Sequence, residues 1–84
     1  MKYSIFIENY AVKQLKQIDK EVIPKIKEGI SMLSTNPRPF GYIKLKGINA
    51  YRIRIGDYRI IYEIEDKILI IKVVAIAHRK DVYN

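Results

Sequence analysis

The sequence predicts an α+β fold in which a helix pair covers one face of an antiparallel sheet. Two observations carry that reading. Between residues 9 and 33 the apolar side chains recur at helical spacing, whereas between 42 and 76 they alternate and are broken by short turn signals. A strand, two helices and then consecutive strands is an order that puts both helices on a single sheet face.

Eighty-four residues suffice for one compact domain and are too few for two, so residues 1–84 are read as a single domain with one shared core. Hydrophobic residues at 49% and charged residues at 30%, with three prolines and four glycines, fit a packed globular chain rather than a disordered one.

The elements follow in order. Residues 3–8 alternate and are rich in isoleucine and aromatics, which predicts a short strand, and Asn9 is the expected N-cap of the first helix. From Asn9 to about Asp19, Ala11, Val12, Leu15 and Ile18 share one stripe, while Lys13, Lys16 and Gln17 face elsewhere. A second stripe, Val22, Ile23, Ile26, Ile30 and Leu33, predicts a second helix with Pro24 in its first turn, closed by Asn36-Pro37-Arg38-Pro39. Strands are predicted over 42–46, 50–55, 58–65 and 68–76, with tight turns at Gly56-Asp57 and Asp66-Lys67.

Several chemistries are excluded by what the chain lacks. Without cysteine there is no disulfide framework, thiolate zinc site or cysteine nucleophile. His78 is the single histidine and no carboxylate cluster resembles a magnesium site, so neither a metal nor a cofactor is expected. The apolar run before Glu8 is too short for a signal peptide or membrane span, which sets a cytoplasmic address with no membrane partner as the expectation.

A net charge of +7 and a pI near 9.7 point to polyanionic partners. The charge is concentrated: Arg38, Lys44, Lys46, Arg52, Arg54 and Arg59 lie between residues 38 and 59, against the single acid Asp57. If Gly56-Asp57 is a two-residue turn, Ile55 faces Tyr58, Arg54 faces Arg59, Ile53 faces Ile60 and Arg52 faces Ile61. Tyr51, Ile53, Ile55, Tyr58, Ile60, Tyr62 and Ile64 then share the helix side, joined by Leu69, Ile71, Val73 and Ala75 if Asp66-Lys67 is also a two-residue turn. Arg52, Arg54 and Arg59 occupy the other side, with Glu63 as the acid set against them.

Directly opposed like charges cost about 0.2–1 kcal/mol, and one acid does not neutralise three arginines. An external anion completes such a site, and the planar guanidinium fork matches phosphate. On this reading Arg59→Ala leaves the fold intact.

The run Lys44-Leu45-Lys46-Gly47, then Tyr51-Arg52-Ile53-Arg54-Ile55-Gly56-Asp57-Tyr58-Arg59-Ile60-Ile61-Tyr62, then His78-Arg79 and Val82-Tyr83, resembles the RelE/ParE toxin superfamily over nearly the whole chain. The resemblance implies a toxin of a type II toxin-antitoxin system with a cognate RelB-like antitoxin. RelE-like members cleave messenger RNA in the ribosomal decoding site, and ParE-like members poison DNA gyrase. The positions that distinguish RelE-like members fall on Arg52, Arg54, Arg59, Arg79 and Tyr83, which favours the RelE side over the gyrase poison and over a non-catalytic RNA-binding module.

The implied chemistry is attack of the RNA 2′-hydroxyl on the adjacent phosphate, with Arg54, Arg59 and Arg79 as phosphate contacts and Lys44 and Lys46 as RNA-binding residues. The family pattern has lysines where this chain has Arg52 and Arg54, and arginine is a poor general base. Tyr83 as base and His78 as acid or phosphate contact are the expected replacements.

Overall fold

The computed structural model of the chain describes residues 2–80. Its elements are β1 (Ser4–Ile7), α1 (Asn9–Lys16), α2 (Ile23–Met32), β2 (Ile43–Lys44), β3 (Tyr51–Ile55), β4 (Tyr58–Glu65) and β5 (Ile70–His78). The strands form one sheet in the order β1-β5-β4-β3-β2. Both helices cover the same face, α1 over β5 and α2 over β3.

The β3–β4 register is the one the turn predicts: Ile55 faces Tyr58, Arg54 faces Arg59, Ile53 faces Ile60 and Arg52 faces Ile61. Gly56 takes φ 59° at the first central position of the turn, the conformation a type II′ hairpin asks of glycine. Ile53, Ile60, Tyr62 and Ile64 are buried with Ala11, Leu15 and Ile18 of the first helical stripe and Ile26, Ile30 and Leu33 of the second.

Five features differ from the sequence expectation. First, β1 pairs with β5 in parallel, Ile5 beside Ile71 and Ile7 beside Val73, which makes the sheet mixed. The helix pair carries the chain from β1 at one edge of the sheet to β2 at the other, and β5 returns beside β1. Second, residues 66–69 form a four-residue connection rather than a two-residue turn, with Glu65 facing Ile70. Leu69 lies inside it at φ 55° rather than on the core face, a left-handed conformation that is costly for a non-glycine residue.

Third, the β4–β5 pairing slips between Ile61, which faces Ala75, and Tyr62, which faces Val73. Val74 is the extra residue. Beyond it the core face passes to Ile76 and His78 instead of Ala75, and Ile76 is buried against Ile60. Fourth, Glu8 rather than Asn9 stands at the N-cap of α1, without a side-chain cap. Fifth, the predicted strand 42–46 contracts to two residues in β2.

Where β1 ends, β5 loses its outer neighbour, and α1 takes over. The Gln14 side-chain oxygen accepts a 2.6 Å hydrogen bond from the backbone N–H of Ile76. A half-buried amide left without that partner costs about 1–3 kcal/mol, so Gln14→Ala is expected to lower unfolding stability by that amount in urea titration. An unchanged midpoint and slope would mean that water replaces the side chain without loss.

At the other end of the sheet, the buried Tyr62 hydroxyl donates to the Pro37 carbonyl at 2.7 Å. Burial pushes this phenol up to about 12. The folded chain therefore holds this proton to higher pH than the unfolded chain, whose tyrosines ionise near 10. Tyr62 stabilises the fold below pH 10, and the contribution is lost as pH rises towards 12. Stability measured across that window is expected to fall more steeply for the native chain than for Tyr62→Phe.

Candidate nucleic-acid site on the open face

The sheet face away from the helices collects the arginines because β3 and β4 alternate in register. At the hairpin end, Arg54 and Arg59 are cross-strand partners, and Ala77 continues the row on β5. Arg52 and Ile61 form the next row, with Ala75 beyond them. Glu63 faces Lys72 further along, and Glu65 lies at the far end facing Ile70. Neither carboxylate sits in the row that holds Arg54 and Arg59.

Arg79 joins this pair through its own peptide. Its N–H donates to the Asp57 carbonyl at 2.7 Å, and its carbonyl accepts from the Arg59 guanidinium at 3.3 Å. The segment following β5 is thereby pinned to the β3–β4 turn. The Arg79 side chain approaches the Asp57 carboxylate at 4.0 Å, but both are largely exposed, and such a pair contributes little stability. Arg54, Arg59 and Arg79 line one small pocket of about 70 Å³ together with Gly56, Asp57 and Tyr58.

The three arginines are not equivalent. Arg54 is exposed, whereas Arg59 is only 4% exposed. This corrects the expectation that Arg59 is a surface cation whose removal spares the fold. A buried guanidinium bonded to a backbone carbonyl is part of the packing, and hydrogen bonds to charged groups contribute about 1.5–3 kcal/mol. Arg52 is half-buried.

The other candidate residues separate from this cluster. His78 faces Tyr58 on the helix side of the sheet, with the two rings edge to face at 5.1 Å. It lines a different pocket with Gln14, Gln17, Ile18 and Ile76, and its Nδ1 accepts from the Lys80 N–H at 3.2 Å. The bulge at Val74 causes this, because one extra residue sends the strand end to the opposite face. Tyr83 lies outside the described residues.

Lys44 donates to the Ile48 carbonyl at 3.2 Å and lies 5.6 Å from the Tyr51 ring centre, while Lys46 is exposed in the connection to β3. Arg38, counted in the basic segment, belongs to a separate junction. It grips Asp66 at 2.9 and 3.3 Å, and the Tyr3 hydroxyl donates to the same carboxylate at 2.7 Å. The Arg38 hydrogen bond, then that of Tyr3, holds the Asp66 carboxyl below its usual range.

Sequence reasoning missed the Asp57 carbonyl that anchors Arg79, since backbone acceptors leave no trace in composition. Among the described residues, no three His, Cys, Asp or Glu side chains gather where they could share a metal ion.

Comparison with known proteins shows the family. The family described as the ParE toxin of type II toxin-antitoxin systems matches residues 5–83. A putative toxin RelE1 of Methanocaldococcus jannaschii is 37% identical, with 100% of this chain and 98% of that protein covered. A putative RelE-like toxin protein of Escherichia coli is 32% identical, covering 100% of this chain and 93% of that protein. Among solved structures, the archaeal RelE–RelB complex of Pyrococcus horikoshii aligns with a TM-score of 0.83 at 34% identity, over 94% of this chain and 97% of that one. The isolated Escherichia coli RelE toxin shares the fold, with a TM-score of 0.78 at 23% identity, over 96% of this chain and 90% of that one.

The chain belongs to the RelE/ParE superfamily of type II toxins and, within it, is a RelE-type toxin.

The different burial of the arginines sets an expectation. Arg59→Ala is expected to lower the unfolding free energy by about 1.5–3 kcal/mol, while Arg54→Ala stays within about 0.5 kcal/mol of the native chain. Paired thermal and urea melts measure both. Equal, negligible losses would contradict a packing role for Arg59.

Proposed function

We propose that the chain is a metal-independent endoribonuclease that cuts messenger RNA in the ribosomal decoding site. The observation that carries this reading is the convergence of Arg54, Arg59 and Arg79 on one pocket, set by strand register and by the Asp57–Arg79 backbone bond. Three guanidiniums around one small hollow suit a phosphate whose negative charge grows as phosphorus becomes pentacoordinate.

In the proposed reaction the ribose 2′-oxygen attacks the adjacent phosphorus while its proton passes to the Tyr83 phenolate. The bond from phosphorus to the 5′-oxygen breaks, and that oxygen takes a proton from His78 or water. The products are a 2′,3′-cyclic phosphate and a free 5′-hydroxyl. Exposed Arg54 and Arg79 meet the phosphate, and Arg59 holds the Arg79 peptide while adding its charge from below. Arg52 supports the RNA strand beside them, and Lys44 and Lys46 contact its backbone further out. His78, on the helix side, reaches the leaving oxygen only if RNA wraps the end of β5, so its share is the smaller one.

The relatives also supply a partner. Structures described as RelE–RelB complexes of Pyrococcus horikoshii and Methanococcus jannaschii support a RelB-like antitoxin for this chain, and the reading carries with it a cytoplasmic address and the ribosome as site of action. A second reading, a DNA gyrase poison, is favoured by the ParE name of the matching family.

Cleavage of ribosome-bound mRNA with mapped ends tests the choice. The expected result is cut mRNA bearing cyclic phosphate and 5′-hydroxyl ends, with Tyr83→Phe slowed by about 10²-fold or more and His78→Gln slowed less. Intact mRNA together with gyrase-dependent double-strand DNA breaks would establish the second reading instead.

A further inference from the structure

A second hollow, of about 170 Å³, lies across the end of β5 from the arginines. Gln14 of α1, Gln17 at the C-cap of that helix, Tyr58 and His78 line it, and Ile18 and Ile76 complete it as buried apolar residues. No carboxylate, lysine or arginine lines it, so it offers a counter-charge neither to a phosphate nor to an amine. Tyr58 lines both hollows, and the consecutive residues His78 and Arg79 line one each. An RNA whose phosphate sits among the arginines therefore meets this hollow when it bends round the end of β5.

The fixed hydrogen-bonding groups here are donors. Gln14 commits its oxygen to the Ile76 N–H at 2.6 Å, which leaves its NH2 to the hollow. His78 accepts the Lys80 N–H on Nδ1, so the neutral imidazole carries its own proton on Nε2. The edge-to-face contact of the Tyr58 and His78 rings at 5.1 Å holds both in place. Two placed donors suit two neighbouring acceptors on a neutral, flat ring. Guanine presents such a pair as O6 and N7, whereas adenine sets a donor beside its acceptor. The hollow is smaller than a drug-sized pocket and suits a single ring system, and single-stranded RNA is read through bases splayed out in this way.

We propose that this hollow is a base subsite that takes a guanine flanking the phosphate held by the arginines. Gln14 and His78 donate to the guanine acceptors, and the Gln17 amide, able to donate or accept, meets the remaining edge. With its Nε2–H on the base, His78 selects the substrate, and the leaving oxygen takes its proton from water. The part played in choosing where RNA is cut rests on the endoribonuclease reading; the binding of guanine does not.

The test titrates the intact, isotope-labelled chain with each of the four nucleoside 5′-monophosphates, with inorganic phosphate and with N-acetylasparagine amide, followed by NMR. Guanosine monophosphate is expected to shift the Gln14 and Gln17 side-chain amides and the His78 ring at about tenfold lower concentration than the other three nucleotides. Inorganic phosphate is expected to leave those signals in place. Gln14→Glu keeps the oxygen that accepts from Ile76 and removes the donor, and is expected to abolish the guanine preference. Gln17→Ala, at an exposed position, is expected to weaken that preference while melting as the native chain does, and it decides the matter if Gln14→Glu fails to fold.

Signals at Gln14, Gln17 and His78 that stay still overturn the proposal. So do signals that respond equally to all four nucleotides, and signals that respond as strongly to the asparagine amide, which would mark a hollow for peptide side chains. On the ribosome, a preference for cutting beside guanine is expected to shrink in Gln17→Ala by the same factor as binding, and cutting indifferent to guanine overturns the subsite's part in choosing the cut. If the chain cuts no mRNA, that part fails together with the endoribonuclease reading, whereas the titration still decides the subsite.

Discussion

The two-residue turn at Gly56 and Asp57 sets what each side of the central hairpin does. With Gly56 in the left-handed region, β3 and β4 meet in a single register, and every second side chain of both strands is committed to the helices. A slip of β3 by one residue would drive Arg52 and Arg54 into the core and put Ile53 and Ile55 in water. Burial of a single isoleucine contributes about 1.5–3 kcal/mol, far more than the repulsion between two facing arginines. Apolar burial therefore dictates where the cations stand, and the arginine cluster is a consequence that the core enforces.

The same register grades the charge along the open face. Arg54 and Arg59 occupy the hairpin end, Arg52 and Ile61 follow, and Glu63 and Glu65 lie towards the opposite end. Attraction for a polyanion is therefore strongest at the hairpin end, since Lys72 is offset by Glu63 and Glu65 towards the other. The turn also supplies the Asp57 carbonyl that fixes Arg79, so one structural device positions cations from three places in the sequence.

How much was legible follows the range of the interactions involved. The β3–β4 face assignment could be read because glycine and aspartate between two alternating runs specify a local turn. The parallel placement of β1 could not, since nothing within a few residues of Ser4–Ile7 names β5 as its neighbour. Ile76 took the place expected for Ala75 because one bulged residue, Val74, reverses the facing of all that follows, and the alternating pattern reads almost equally well in either phase. His78 moved to the helix side for that reason. The burial of Arg59 was hidden for a different one: its carbonyl partner sits twenty residues away in the chain. Lys44 and Lys46 were identified by charge alone, and the structure shows Lys44 spending its ammonium on the Ile48 carbonyl and the Tyr51 ring. A groove of about 650 Å³ between α2 and β3 also went unread, because its exposed Phe40, next to a proline, looks like any loop aromatic until α2 and the edge of β3 are placed around it.

In the proposed function the hairpin presents Arg54 and Arg79 to the scissile phosphate on the open face. A cryo-electron microscopy structure of the chain on a ribosome, with mRNA blocked by 2′-O-methylation at the cleavage position, tests this directly. The result expected is the blocked phosphate within hydrogen-bonding distance of both the Arg54 and Arg79 guanidiniums. A phosphate lodged instead on the helix side beside His78 and Gln14, or no mRNA against this face, would contradict it.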